Sequence, residues 1–345
     1  MPGSAEKHLV MSGMHALEKG MSYNLTVRIG KDYLTLENIS ISPWTDKPVQ
    51  DFEIGTGVIF LETPGTLTAE AIKSAIGVED RLTISGPMNG NDVKVLREFM
   101  GCKYDTSEPN SICPIHYLDL GGVNIVNGGD AYATDGYDLL FHIPENDVIP
   151  GYAFYNLKSE SETRVVLPPG LRKIGKNAFF NAGVDFVDLP ETLEEIGNYS
   201  FKLSRIQEIT IPGSVSKVCE GALENCENLR RLEIPEGVQE LGFQSVTGLL
   251  NLEYLYLPYS LTKMYSQYIC IDKLKTLKIM TKPEVLKDKF VDLTIGVSDN
   301  KLTGEHIDCD LYLCNERQGE VTEGNTWAGN TWKSITFVDG TTLKK

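Results

Sequence analysis

The sequence predicts an α/β solenoid: a right-handed coil with a parallel β ladder on one face, short helical and β caps, and a small β region at the N-terminus. Three observations carry this. A proline recurs at a nearly fixed interval through the middle of the 345 residues. Apolar residues stand in register at several offsets from that proline. The segments on either side lose the register.

Residues 1–60 form the β region. "SYNLTVRIG" alternates, "KD" marks a turn, and "YLTLENISISPWTD" continues in short strands. Residues 61–117 form the N-terminal cap. "TAEAIKSAIG" (68–77) reads as a short helix with Thr68 as N-cap and Gly77 as stop. "LTISGPMNGNDVKVLREFMG" (82–101) reads as strand, turn and a helix entered near Asn91 or Asp92.

Residues 118–280 carry the repeats. The anchor is Pro144, Pro168, Pro190, Pro212, Pro235 and Pro258, at intervals of 24, 22, 22, 23 and 23. "LDLG" ending at Gly121 and "LKIM" ending at Met280 keep the spacing without proline. A fixed period of this size marks a stacked-coil architecture. Three before the anchor stand Phe141, Val165, Val187, Ile209, Leu232, Leu255 and Leu277, and one before it Ile143, Leu167, Leu189, Ile211, Ile234, Leu257 and Ile279. Residues two apart lie on one face of a strand, so each unit has a short strand with its apolar side inward. Proline just after it ends ladder pairing. Further apolar columns follow at three, six and eleven after the anchor, for example Leu171, Ile174 and Phe179. Gly175, Gly197 and Gly242, seven after it, suit a turn that a Cβ would obstruct. One such coil cannot bury its apolar side alone, whereas stacked coils share a core.

Residues 281–345 form the C-terminal cap. Trp327 and Trp332 are placed to cover the last coil, because an open solenoid end exposes core and strand edges.

"LPPGLRKIGKNAF", "LPETLEEIGNYSF" and "IPGSVSKVCEGAL" resemble the BspA-type leucine-rich repeat family, over about residues 141–280. The two caps look like those of exported proteins that carry this repeat. "LEKGMSYNLTVRIG...ISISPWTD" looks like the last strands of a fimbrillin-like domain. A full β-sandwich needs ~100 residues. The segment is therefore a remnant of such a domain, a truncated product, or strands docked on the solenoid, with an unrelated β-hairpin as the alternative. The resemblance implies a non-enzymatic protein on the outer cell surface of a Gram-negative anaerobe. It would adhere to an extracellular protein or glycan, such as host matrix or mucin. The second expectation is an accessory subunit of a fimbria-like fibre.

Composition limits the partners. With 48 acidic and 32 basic side chains the formal net charge is -16, which repels phosphate backbones, so no nucleic-acid partner is expected. No apolar run approaches the ~20 residues of a membrane span. The N-terminal stretch lacks the charged start and apolar run of a secretory signal, so the chain is either cytosolic or read from after a removed leader. Seven cysteines spread over the chain read as buried thiols, with one disulfide near Cys309 and Cys314 as an alternative.

No catalytic constellation stands out. "GPMNGND" lacks the Lys-Ser/Thr of a phosphate-binding loop, and the five histidines form no zinc pair, so no cofactor is expected. Asp130, Asp135 and Asp138 in "GGDAYATDGYDLL" are weak calcium candidates beside the simpler reading of a solvated loop. That leaves the outward positions of the ladder, two and four before the anchor. They nominate Arg164, Phe186, Asp188, Arg231, Glu233, Tyr254 and Tyr256 as partner-binding candidates, because arginine and aromatic residues anchor interfaces. Exposed strand positions also favour aromatic side chains for their own sake.

Overall fold

The computed structural model describes residues 21–29, 34–43, 57–76, 80–102, 112–130, 145–270, 272–286, 291–294 and 304–339. The chain divides into two compact units, Met1–Glu53 and Ile54–Lys345. In the first, strands β1 (Met21–Ile29) and β2 (Leu34–Pro43) pair antiparallel, with Ile29 opposite Leu34. A two-stranded hairpin is common to many folds, so it does not single out a fimbrillin-like domain.

The second unit is a solenoid. Its cap holds β3 (Val58–Phe60), α1 (Ala69–Ile76), β4 (Arg81–Met88), α2 (Gly90–Phe99) and β5 (Tyr117–Ile125). Thr68 caps α1 as expected, its Oγ1 accepting from the Ala71 N–H at 3.1 Å. Helix α2 begins earlier than the sequence suggested. Asn89 is its N-cap, accepting from the Asn91 N–H at 3.0 Å, while the carboxylate of Asp92 accepts from the Asn89 N–H at 2.9 Å. Asp92 also accepts from the Gly65 and Leu67 N–H groups, so this buried carboxylate ties the preceding loop to the helix start.

From there the chain alternates between two parallel ladders through β6 (Val148–Ile149), β7 (Arg164–Val166), β8 (Lys173–Ile174), β9 (Phe186–Asp188), β10 (Glu195–Ile196), β11 (Lys217–Val218), β12 (Arg231–Glu233), β13 (Glu240–Leu241), β14 (Tyr254–Leu257) and β15 (Lys263–Met264). It continues through β16 (Gln267–Cys270), β17 (Thr276–Ile279), α3 (Pro283–Leu286), β18 (Val291–Thr294), β19 (His306–Cys314), β20 (Thr326–Trp327) and β21 (Asn330–Val338). The expected ladder runs β3-β4-β5-β7-β9 and resumes as β12-β14-β17-β19-β21, with β20 on the end. Between the two runs only a single bridge, Phe186 to Glu208, is made. The second ladder, β6-β8-β10-β11-β13-β15, was not foreseen, because each of its strands is two residues long.

One unit is corrected. Strand β5 pairs directly with β7, Tyr117 opposite Arg164, and β6 pairs with β8, Ile149 opposite Ile174. A single coil therefore takes its outer strand from 117–119 and its second strand from 148–149. No unit anchored on Pro144 stands between "LDLG" and Pro168. Phe141, Ile143 and Pro144 lie outside the described residues.

The apolar columns form one core. Val165, Leu171, Ile174, Phe179, Leu193, Ile196, Phe201 and their counterparts are buried, and Leu189 is the half-buried exception among those one before the anchor. The phenyl rings of Phe154, Phe179 and Phe201 stack along the axis at 4.8 and 5.0 Å. The turns after β8, β10, β11 and β13 each use two left-handed residues, nine and thirteen after the anchor, such as Asn177 (φ 57°) and Asn181 (φ 50°). Between them N–H groups donate to the next coil, Asn177 to Asn198, Phe179 to Ser200 and Asn181 to Lys202, at 2.6–3.0 Å. A Cβ is obstructed at the glycines seven after the anchor, as expected. At Gly197 a Cβ would lie 2.4 Å from the Ile174 carbonyl oxygen, so close approach between coils, not a left-handed turn, demands glycine there.

Two hydroxyls sit badly in this core. Ser200 and Ser245, in the column shared with Ala178 and Ala222, are fully buried, and their Oγ atoms meet no hydrogen-bond partner among the described residues. Removing such a group relieves its desolvation cost. Ser200→Ala and Ser245→Ala are each expected to raise stability by up to ~1 kcal/mol. A fall in the denaturation midpoint would show that the hydroxyls are bonded.

All seven cysteines are buried free thiols. The alternative of a disulfide at Cys309 and Cys314 is therefore corrected. Burial pushes Cys102, Cys226 and Cys309 up to about 12 and Cys113 up to about 11. The thiolate is the reactive form, so the folded chain is expected to resist a disulfide reagent at pH 8 and to react at all seven sites once denatured. Rapid labelling of the native chain would contradict this.

Among the described residues no helix is long and apolar enough to cross a membrane.

The candidate functional site is the outer face of the strand ladder

An in-register parallel ladder places equivalent side chains of successive coils ~4.8 Å apart, so each column must pack along the axis. On the outer face this spacing produces alternating cations and rings. Arg81 lies over Tyr117 at 4.3 Å, Arg164 over Phe186 at 4.7 Å and Arg231 over Tyr254 at 3.7 Å. In each pair the two residues face one another across neighbouring strands. A guanidinium stacked on a ring stays charged and loses little hydration.

The carboxylates complete the pattern. Arg164 Nη1 donates to both oxygens of Asp188, at 2.7 and 3.0 Å. Arg231 Nη2 donates to Glu233 at 2.9 Å. Both pairs are well exposed, so they hold side chains in position more than they stabilise the fold. Arg164, Phe186, Asp188, Arg231, Glu233 and Tyr254 thus stand on the outer face, in two groups on either side of Glu208–Thr210.

Tyr256 does not join them. Its register places it beside Glu233 and Lys278, yet only 6% of it is exposed. Its hydroxyl donates to Glu236 Oε1 at 2.5 Å, and the same carboxylate accepts from the Tyr259 and Ser260 N–H groups. Burial and then this hydrogen bond push its phenol well above the usual tyrosine range. Tyr256 braces the bend after β14, which alternation alone could not reveal. The outward residues missed by the sequence reading include Arg81 and Tyr117 in the cap and Tyr312 on β19, opposite Lys278. The connection before β19 breaks the period, and only the alternation of "LYLC" marks it.

The opposite ladder offers less. Its outward column reads Lys173, Glu195, Lys217, Glu240 and Lys263, alternating in sign. Lys173 meets Glu195 at 2.9 Å, and Glu240 meets Lys217 and Lys263 at 3.3 and 3.2 Å. Its two glutamates are thus paired with its three lysines.

Of the calcium candidates, Asp130 is exposed and its N–H donates to Asn91 Oδ1, while Asp135 and Asp138 lie outside the described residues.

The family model described as "BspA type Leucine rich repeat region" matches residues 147–275 in six copies. The chain is similar to a solved leucine-rich repeat protein from Bacteroides ovatus, with 16% identity and a TM-score of 0.40, covering 94% of this chain and 76% of that one. It is also similar to a leucine rich cell surface protein from Faecalibacterium prausnitzii, with 18% identity, a TM-score of 0.29, and 54% and 59% of the two chains covered. No curated protein matches it significantly. The six matched copies fall in residues 147–275, the span where both ladders and the apolar columns repeat.

Proposed function

We propose that this is a non-enzymatic cell-surface protein that binds a protein partner through the outer face of its strand ladder. The observation that carries the reading is the row of arginine–aromatic pairs, Arg164 on Phe186 and Arg231 on Tyr254. Packing and carboxylate contacts hold these side chains in place, so a partner meets an ordered surface and loses little rotamer entropy on binding.

The test is binding of the purified chain to matrix proteins, mucins and glycans, compared with a Phe186→Ala, Arg231→Ala variant whose melting curve is unchanged. A loss of at least tenfold in affinity, ~1.4 kcal/mol, is expected. Undiminished binding by the variant would move the site away from the ladder. Absence of binding, together with self-assembly that requires residues 1–53, would favour a fibre subunit.

A further inference from the structure

The cations of the ladder face are not equivalent. Arg164 and Arg231 each hold a carboxylate on the face itself. At its margin Lys275 meets Glu253 at 2.5 Å, and Lys333 lies 3.6 Å from Asp310. Lys278 on β17 meets no carboxylate among the described residues. Its ammonium lies between two tyrosine rings, 5.6 Å from the centre of Tyr254 and 5.0 Å from that of Tyr312. Neither tyrosine hydroxyl has a hydrogen-bond partner among the described residues, in contrast to Tyr256 and Tyr259, whose hydroxyls bond Glu236 and Glu316. Strands β14, β17 and β19 are consecutive in the ladder, so two phenol donors flank one ammonium on the same face.

We propose that Lys278, with Tyr254 and Tyr312, receives a carboxylate side chain of the protein partner. This rests on the ladder-face reading above and names the group recognised there. A carboxylate has acceptor capacity for the ammonium and for both hydroxyls. The cation is already half-buried over the rings, so little further desolvation accompanies pairing. A neutral sugar fits less well. Arg231 covers one face of the Tyr254 ring at 3.7 Å and Lys278 lies near it as well, which leaves the ring edge and hydroxyl to a partner. A polyanion fits less well too. Glu233, Glu253 and Asp310 surround the position on a chain of net charge -16, so one carboxylate is tolerated where a run of sulfates is repelled.

The test titrates the full chain, at low and physiological salt, with an N-acetylated, C-amidated peptide that carries a single glutamate among neutral residues and separately with heparin. Lys278→Met is expected to weaken peptide binding at least ~tenfold, Tyr254→Phe with Tyr312→Phe at least ~threefold, and Lys278→Arg far less than Lys278→Met. All three variants should melt like the parent. The proposal is overturned if the peptide does not bind at low salt, or binds parent and Lys278→Met alike. It is equally overturned if heparin, and not the peptide, depends on Lys278. The two readings separate cleanly. Should Lys278→Met be silent while Phe186→Ala, Arg231→Ala abolishes binding to the protein panel, the ladder face stands and the carboxylate site falls. Should the double variant also be silent on the panel, the ladder reading itself falls.

Discussion

Replacing Arg205 by methionine is expected to destabilise the solenoid by about 3–5 kcal/mol at most, the range for stranding a buried charge, because it leaves the buried Asp185 carboxylate without its half-buried guanidinium. The carboxylate of Asp185 is nearly inaccessible, with 4% of its side chain exposed, and Arg205 Nη2 lies 2.7 Å from it. The same guanidinium donates to the carbonyls of Ser159, Ser161 and Gly183, so one side chain joins three successive coils. Asp185 would keep the Thr163 N–H at 2.8 Å and Gln207 Nε2 at 2.9 Å, both neutral donors. The loss should therefore fall toward the lower end of the range. Adding Asp185→Asn to Arg205→Met removes the stranded charge and should recover part of it, as a double-mutant cycle in denaturant would show. A single-variant loss below ~1 kcal/mol would mean that water already reaches the carboxylate.

Phe179→Ala should cost a similar amount by a different route. Its ring is fully buried between Phe154 and Phe201, so truncation leaves a cavity and breaks two ring contacts. Phenylalanine truncations in cores cost about 3–5 kcal/mol. The neighbouring Phe180 stacks on Tyr155 at 5.1 Å but is only half-buried. Phe180→Ala is thus expected to cost roughly a third as much, since exposed area carries no transfer gain. Equal losses for the two variants would show that the inner stack is not the stabilising one. Each coil leans on its immediate neighbours, so the damage from Phe179→Ala should concentrate in the coils around it, seen as faster amide exchange there than at the C-terminal cap.

The candidate site was half legible. Alternation along a strand assigns residues to the outer side, and the period assigns them to columns, so Arg164, Phe186, Asp188, Arg231, Glu233 and Tyr254 were reachable from spacing alone. Which of them pair was not, because guanidinium–ring stacking and the Arg164–Asp188 contact depend on rotamers that only neighbouring coils select. Tyr256 shows the limit. A tyrosine has an apolar body and a polar tip, and the nearby Glu236 drew it over the rim and out of the exposed set.

By itself the sequence determined the solenoid, its period, its inward columns and its tryptophan-covered end, with Trp332 fully buried beside Trp327. These follow from local composition repeated many times, and a hydrophobic column has no other stable place than a shared core. The tertiary structure alone decided the rest. It joined β5 to β7 across the long connection, added a second ladder of two-residue strands, and limited the outer ladder to one bridge at Glu208. It also left Lys278 between two tyrosines while other cations of the face and its margin found carboxylates. Those outcomes depend on which coil lies against which, and on side chains meeting across residues far apart in the chain, which no local pattern encodes.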